Sequence, residues 1–199
     1  MVMHGAPERA DARANRRRVL DAALEVIAER GAGAEIKEVA ERAGVGVGTI
    51  YRNFATRDDL FRGVIGEMLE RFFAVRDEAL AVEDPIDSIT FYVHKMFGIL
   101  EKWSPAIMAI MSGAFTEEIK ERFLEFARDR RLESIFYRGI ALGVFRRDLP
   151  VELARGFLVN ACDPVVYMAV KDSASLEEIA SGYTDLVLRA FRADPASPG

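Results

Sequence analysis

Cysteine is almost absent. Cys162 stands alone in 199 residues, so no internal disulfide can staple the chain, and a reducing compartment suits it. Histidine is scarce as well: His4 and His94, together with one cysteine, do not make up a tetrahedral metal site. No uninterrupted apolar run approaches the ~20 residues of a membrane span. The opening stretch MVMHGAPERADARANRRR lacks the apolar core of a secretion signal. No Gly-x-Ser-x-Gly elbow occurs, and neither of the glycine-rich phosphate motifs is present. The cluster Gly44, Gly46, Gly48 follows a helical pattern rather than a strand, which argues against a phosphate loop. These absences lead away from catalysis, metal or cofactor chemistry, secretion and membrane insertion. No enzyme activity and no cofactor are expected, and the location expected is cytoplasmic. Strand alternation and internal repeats are missing too, so the chain reads as all helix.

What is present is half hydrophobic by composition, enough for one good core or two small ones. The formal charge of −5 does not suit a nucleic-acid binder taken whole. Its distribution does. Residues 1–57 carry ten Lys/Arg against eight Asp/Glu, whereas the remainder carries 17 against 24. Five arginines and one aspartate lie between Arg9 and Arg18 alone. A basic end on an acidic body is the asymmetry expected when only that end meets DNA.

The stretch from Glu35 to Phe54, EIKEVAERAGVGVGTIYRNF, reads as two short helices joined by a glycine turn. Ile36, Val39 and Ala40 repeat at helical spacing, and Gly44 stands where a helix needs a left-handed residue to end. Val45 fills the corner. In the second helix Ile50 and Phe54 face the first, so a 100° step per residue turns Gly48 and Arg52 outward, flanked by Thr49 and Tyr51. Asn53 falls partly inward on this wheel. A short face of bare backbone, hydroxyl, phenol and guanidinium suits a groove lined with phosphates and base edges. The pattern Ala40, Gly44, Val45, Gly48, Thr49, Ile50, Tyr51 and Phe54 resembles the helix-turn-helix of the TetR family of transcriptional regulators, strongly from about Arg16 to Leu60. Three positions depart from it. Ala34 and Glu35 stand where the family usually has a hydroxyl, Gly46 where it usually has a capping Ser or Thr, and Arg57 where it usually has Lys.

The resemblance implies a three-helix head that binds a palindromic operator as a dimer, and a helical body that binds a small-molecule effector and releases the repressor. The residues expected at DNA are Lys37, Gly46, Val47, Gly48, Thr49, Tyr51, Arg52, Asn53 and Arg57. Thr49, Tyr51 and Arg57 would hold phosphates with electrostatic support from Lys37, and Arg52 and Asn53 have base-reading capacity. Gly48 and Val47 would allow close approach. A second reading of the residues stays open: a helical binding protein whose helix-turn-helix makes protein contacts or only nonspecific DNA contacts.

In chain order, residues 1–12 are expected as a disordered basic arm, 13–57 as the DNA-binding domain, 58–193 as the effector-binding and dimerisation domain, and 194–199 as a disordered tail, with about nine helices in all. Thr56 is placed to cap a long helix whose first turn holds Asp58 and Asp59. Further helix starts are expected at Pro85 and Pro105. One long helix is expected from Thr116 or Glu117 to about Gly143, and a helix kinked by Pro164. The body has more large apolar residues than a spacer needs. Phe91, His94, Trp103, Met108, Met111, Phe123, Phe126, Phe157, Asn160 and Tyr167 are the candidates for an effector pocket, with Asn160, Asp163 and Tyr167 supplying polar groups beside the kink. The last two helices carry apolar stripes, Leu153, Phe157 and Leu158 among them, that two copies can share as a four-helix dimer interface.

Overall fold

The computed structural model describes residues 6–111 and 117–193, with the side chains of 6–13, 32, 109–111, 117–120 and 123 outside that description. The chain is all-α, an N-terminal helix-turn-helix followed by a larger helical region. Ten α-helices lie among the described residues: α1 (Ala6–Arg30), α2 (Ile36–Ala43), α3 (Val47–Asn53), α4 (Arg57–Ala81), α5 (Pro85–Met111), α6 (Glu117–Arg128), α7 (Glu133–Ala141), α8 (Val151–Ala161), α9 (Pro164–Val170) and α10 (Leu176–Phe191). A 3-10 turn at Gly31–Gly33 follows α1. The first five residues of the expected arm, the end near Ser112–Gly113 expected for the helix that starts at Pro105, the start at Thr116 and the tail from 194 fall outside the described residues.

Four helix boundaries differ from expectation, each for a physical reason. α1 begins at Ala6 rather than Arg13, because alanines and charged residues of good helical propensity continue the helix backward. α5 runs straight through Pro105. The ring removes one backbone hydrogen bond, but Trp103, Ala106 and Ile107 are buried on either side of it in sequence, and their burial holds the helix together. The long helix expected from 117 to 143 breaks after Arg128. Asp129 accepts from the Arg131 amide at 2.9 Å and from the Arg131 guanidinium, a local turn that competes with the helix ladder. The proline at 164 does not kink a helix but starts one: Asp163 caps α9 by accepting from Val165 and Val166, with Pro164 in the first turn. No single helix among the described residues is long and apolar enough to cross a membrane; α8 and α9 meet that test only together, across a 53° bend.

Two compact units emerge, Met1–Met68 with Pro105–Ile119, and Leu69–Ser104 with Lys120–Gly199. In the first, Val19, Leu20, Ala23, Leu24 and Ile27 of α1 form the floor on which Val39, Ala40, Ile50 and Phe54 are buried. Arg42 of α2 reaches back to both Glu25 and Glu29 of α1, at 3.1 and 2.9 Å. These exposed pairs fix register more than they add stability. α4 opens as expected, with Thr56 and Asp59 in a reciprocal cap.

The second unit is built around aromatic rings. Phe136 of α7, Phe145 of the following turn and Phe191 of α10 stack within 5.1 to 6.3 Å of one another. An isolated antiparallel bridge, Phe145 with Arg192, pins the turn to the end of α10. Arg76 of α4 is almost wholly buried and donates to Asp77 and Asp129. Burial pushes the Asp129 carboxyl up, but hydrogen bonds from Arg131 and the charges of Arg76 and Arg131 outweigh it, so the carboxyl stays below its usual range.

Gly139 of α7 is where this packing is tightest. A Cβ there would lie 2.0 Å from the Phe145 ring, which cannot yield because the bridge to Arg192 holds its backbone. Gly139→Val should therefore destabilise the fold by about 1–3 kcal/mol through overpacking, read as a lower midpoint in urea. Gly182→Ala on α10, where a Cβ meets nothing within 4 Å, should not lower it.

Candidate nucleic-acid interface

The helix-turn-helix follows from a few local choices. Glu35 stands in extended backbone before α2 and closes a capping box with Glu38, whose carboxylate accepts from the Glu35 amide at 3.3 Å. In the same box the Glu35 side chain accepts from the Glu38 amide, the place a family hydroxyl would take. Gly44 ends α2 in the left-handed region at φ 67°, as the sequence led us to expect. The Val45 amide then donates to the Ala40 carbonyl at 3.0 Å, closing the corner. Gly46 precedes α3 in extended backbone and offers no side-chain cap; the Thr49 amide bonds its carbonyl at 2.8 Å.

One side of α3 is sealed and the other is open. Ile50 is fully buried and Phe54 nearly so. Val47, Gly48, Tyr51, Arg52 and Asn53 are exposed, Tyr51 by 52%, and Thr49 is half-buried. A Cβ added at Gly48 or Gly46 would meet nothing within 4 Å, so bare backbone is presented there. The outward turn of Gly48, Tyr51 and Arg52 matches the wheel. Asn53 does not: it is exposed, because α3 ends there and its amide turns back to the Thr49 carbonyl at 2.8 Å. Arg52 lies over the same residue, donating to Thr49 Oγ1 at 2.9 Å. Lys37 is exposed on α2, and Gly46 is exposed in the turn.

Lys37, Val47, Tyr51 and Arg57 line an open groove of about 510 Å³ with Gly33, Ala34, Glu35 and Ile36. Arg57 is half-buried there. Its Nε donates to the Ala34 carbonyl at 2.9 Å, and its guanidinium sits 4.6 Å from the centre of the Phe61 ring. It ties the start of α4 to the turn before α2, a role the sequence did not suggest.

The sequence also missed the residues that aim α3. Phe54 follows α3 directly, and the Arg16 guanidinium lies 5.0 Å from its ring centre. A Cβ at Gly63 of α4 would stand 2.7 Å from the Phe54 ring and 3.0 Å from Leu20. Glycine at 63 is what lets α4 approach the Phe54 ring so closely. The only sequence signal was a glycine inside a helical pattern, which costs about 1 kcal/mol against alanine and asks for a reason.

The candidate pocket residues separate. Trp103 is buried with the Arg71 guanidinium 5.4 Å from its ring centre. Phe126 is buried against Phe72 and Phe73, and Tyr167 is buried edge-on to Phe97. Phe91 is half-buried under Lys95, and His94 is half-buried 3.6 Å from Glu177. Met108 is half-buried and belongs to the first compact unit. The side chains of Met111 and Phe123 lie outside the described residues. Asn160 and Phe157 sit on the exposed side of α8. The polar trio beside Pro164 is divided: Asn160 donates to the Gly156 carbonyl at 2.7 Å, Asp163 caps α9, and Tyr167 turns inward. Each of the first two spends its polar atoms on the ends of α8 and α9.

Residues 19–64 match the model for the family described as bacterial regulatory proteins, tetR family. The chain is similar to the fatty acid metabolism regulator protein of Bacillus subtilis, 28% identical over 172 residues that cover 81% of this chain and 87% of that one. It is 36% identical over 105 residues to the HTH-type transcriptional repressor KstR of Mycolicibacterium smegmatis, covering 52% of this chain and about half (51%) of that repressor. In fold it is similar to a solved structure of the regulator FadR from Bacillus subtilis in complex with stearoyl-CoA. The TM-score is 0.69 at 23% identity, covering 86% of this chain and 97% of that one.

Two substitutions test the geometry. Gly63→Val forces the Phe54 ring to move and tilts α3 with it, so specific DNA affinity should fall at least tenfold while far-UV helicity stays unchanged. Gly46→Ser supplies the missing hydroxyl cap and should raise the thermal midpoint, since such caps contribute about 1 kcal/mol.

Proposed function

We propose that this chain, a member of the TetR family of bacterial transcriptional regulators, is a non-catalytic repressor that binds a palindromic operator as a dimer and is released by a small-molecule effector. The observation that carries the DNA half is the division of α3. Ile50 and Phe54 are buried while Val47, Gly48, Tyr51 and Arg52 stand outside a basic head. Burying one side fixes the helix, and exposing the other makes its contents available to a major groove.

Tyr51 and Thr49 hold backbone phosphates, with Lys37 and Arg57 adding charge beside them. Gly48 lets the backbone approach, Val47 meets a thymine methyl, and Arg52 reads a guanine edge, with Asn53 beside it able to read adenine. Gly46, at the head of α3, presents its bare backbone to the same strand. Two copies join through the exposed apolar residues of the last helices, Leu153 and Phe157 of α8 and Leu186 of α10. Large apolar side chains left this open are costly in a monomer and are the usual core of a two-fold contact. Cytoplasm is the compartment this requires, because the operator is there.

For the effector we infer an amphiphile with a long apolar chain. This reading rests on the names of the relatives, a fatty acid metabolism regulator and a regulator solved with stearoyl-CoA, and on the apolar interior around Phe126, Trp103 and Tyr167. Phe91, His94 and Phe123 remain candidates for its surroundings, whereas Met108 and Met111 fall in the first compact unit. Phe157 and Asn160, exposed on α8, are better assigned to the dimer contact. The effector acts only so far as it binds the non-operator conformation more tightly. α4 contributes residues to both compact units in a single helix, which makes it the element to carry that preference.

Selection of genomic fragments on the purified protein tests the reading. Enrichment of one palindrome supports a regulator; recovery of unrelated fragments, or none, leaves only a binding protein with nonspecific DNA contacts. On the selected operator, Tyr51→Ala should abolish specific binding without dissociating the dimer. Glu35→Ser, which keeps a cap and removes an anion from the phosphate-facing groove, should tighten binding several-fold and steepen its salt dependence. Unchanged affinity in both variants would put the DNA on another face.

A further inference from the structure

Buried hydroxyls in this chain have a regular way of being satisfied. Ser88 donates to the Ala79 carbonyl at 2.6 Å, and Thr184 donates to Ala180 at 2.8 Å. Tyr92 of α5 breaks the pattern. It is wholly buried, and its hydroxyl finds no hydrogen-bond partner among the described residues. Ser104 shares that state, but a serine on a helix needs only a χ1 rotation to reach the carbonyl one turn back. A tyrosine carries its oxygen on the far side of a ring and has no such recourse.

The charges that act on the Tyr92 hydroxyl sharpen the point. They are those of the Cys162 thiol and of the Arg76 and Arg155 guanidinium groups. The carboxylates nearby are already engaged. Arg76 donates to Asp77 and Asp129, and Glu133 lies 3.6 Å from Arg155 Nε and accepts from Arg130 at 2.9 Å. Arg155 Nη1 donates to the Ala127 carbonyl at 2.6 Å and lies 3.5 Å from the Asp129 carbonyl, while its Nε has no hydrogen-bond partner among the described residues. The Tyr92 hydroxyl therefore meets no acceptor among the described residues. Burial pushes the phenol well above its ordinary range, and the nearby thiol acts in the same direction, so it keeps its proton at neutral pH. What is missing beside it is an acceptor. A buried donor left without one costs free energy, and native proteins rarely keep such a donor without a reason.

We propose that Tyr92 anchors the effector, donating its hydroxyl hydrogen to the carbonyl or carboxylate oxygen of an acyl group whose chain lies in the apolar interior of the second unit. Arg155 and Arg76 favour an acceptor that carries partial or full negative charge, which an ester-like carbonyl and a carboxylate both offer. Cys162 is buried, with its thiol pushed far above the ordinary range, and serves as a wall rather than a nucleophile. The proposal rests on the amphiphile reading above and narrows it: the head of the effector, not only its tail, is buried. The free acid and the coenzyme A thioester share this chemistry.

Wild type and Tyr92→Phe are compared as full-length dimers, using the fluorescence of Trp103, the only tryptophan, to follow binding of palmitate and, separately, of palmitoyl-coenzyme A. Thermal midpoints are measured without and with each probe. The expected result is that one probe binds the wild type, telling acid from thioester, and binds Tyr92→Phe at least tenfold more weakly. Without probe, the variant should melt at the same temperature or higher, because the substitution removes an unsatisfied hydroxyl and nothing else. Equal affinity in the two proteins overturns the role of Tyr92 while leaving the effector class standing. A lower midpoint in the empty variant also overturns it, since the hydroxyl would then have a partner within the protein. If neither probe binds the wild type, the amphiphile reading falls and takes this proposal with it.

Discussion

The Phe54 ring is the constraint on which the exposed face of α3 depends. It follows a helix of only seven residues, too short to be stable on its own, and it converts that helix into a fixed part of the head. Leu20 and the Cβ-less backbone of Gly63 close on the ring from α1 and α4, and Arg16 covers it from the N-terminal side. Ile50 one turn earlier supplies the second point of attachment. Two buried anchors four residues apart leave a helix no freedom to roll. The exposed set Gly48, Tyr51 and Arg52 is thereby held at one angle, and preorganisation of this kind is what keeps a short reading helix from losing affinity to its own disorder.

Much of this was legible in the amino-acid sequence because the governing interactions are local. Gly44 announces a left-handed helix end, Ile50 and Phe54 share a face, and Thr56 with Asp59 signals a helix start. Each depends on residues within four positions of one another. What was not legible depends on contacts between distant segments. Gly63 is an ordinary helical glycine until Phe54 and Leu20 are set against it. Arg57 looks like a free phosphate ligand until the Ala34 carbonyl receives its Nε. Pro85 opens α5 as expected, but Pro105 and Pro164 differ from expectation for a related reason. Pro105 has buried residues on both sides and so stays within α5, whereas Pro164 follows a capping aspartate and opens α9. The Asp163-Pro164 pair was itself a start signal, since N-cap aspartate followed by proline is a favoured way to begin a helix.

Polar groups in the second unit divide into those that close on each other and those, the Tyr92 hydroxyl among them, that do not. Arg76, Asp77, Asp129 and Arg131 form a network in which the most deeply buried charge, Arg76, has two carboxylate partners. Such a cluster gains little net stability, because desolvation offsets most of its attraction. It does, however, fix the junction of α6 and α7 against α4, and it leaves no carboxylate spare for the Tyr92 side. Tyr92 and Arg155 are inconspicuous in a sequence; what distinguishes them is a buried atom, the Tyr92 hydroxyl and Arg155 Nε, with no hydrogen-bond partner among the described residues.

The length of α3 limits what one head can discriminate. Seven residues span about 10 Å, roughly three base pairs at the 3.4 Å spacing of duplex DNA. Within that span Arg52 is the principal side chain equipped to read a base, Asn53 being turned back on Thr49. A bidentate contact is worth about 1–3 kcal/mol of discrimination, which falls short of the ~4–10 kcal/mol that separates specific from nonspecific binding. In the proposed dimer the difference comes from a second head and from the spacing between the two. Spacing is a property of the pair of copies rather than of the recognition helix, so an effector that alters it can abolish specificity without touching a single DNA contact. The modest chemistry of α3, two glycines in its first turn region and one guanidinium, is thus consistent with a repressor whose control lies in geometry.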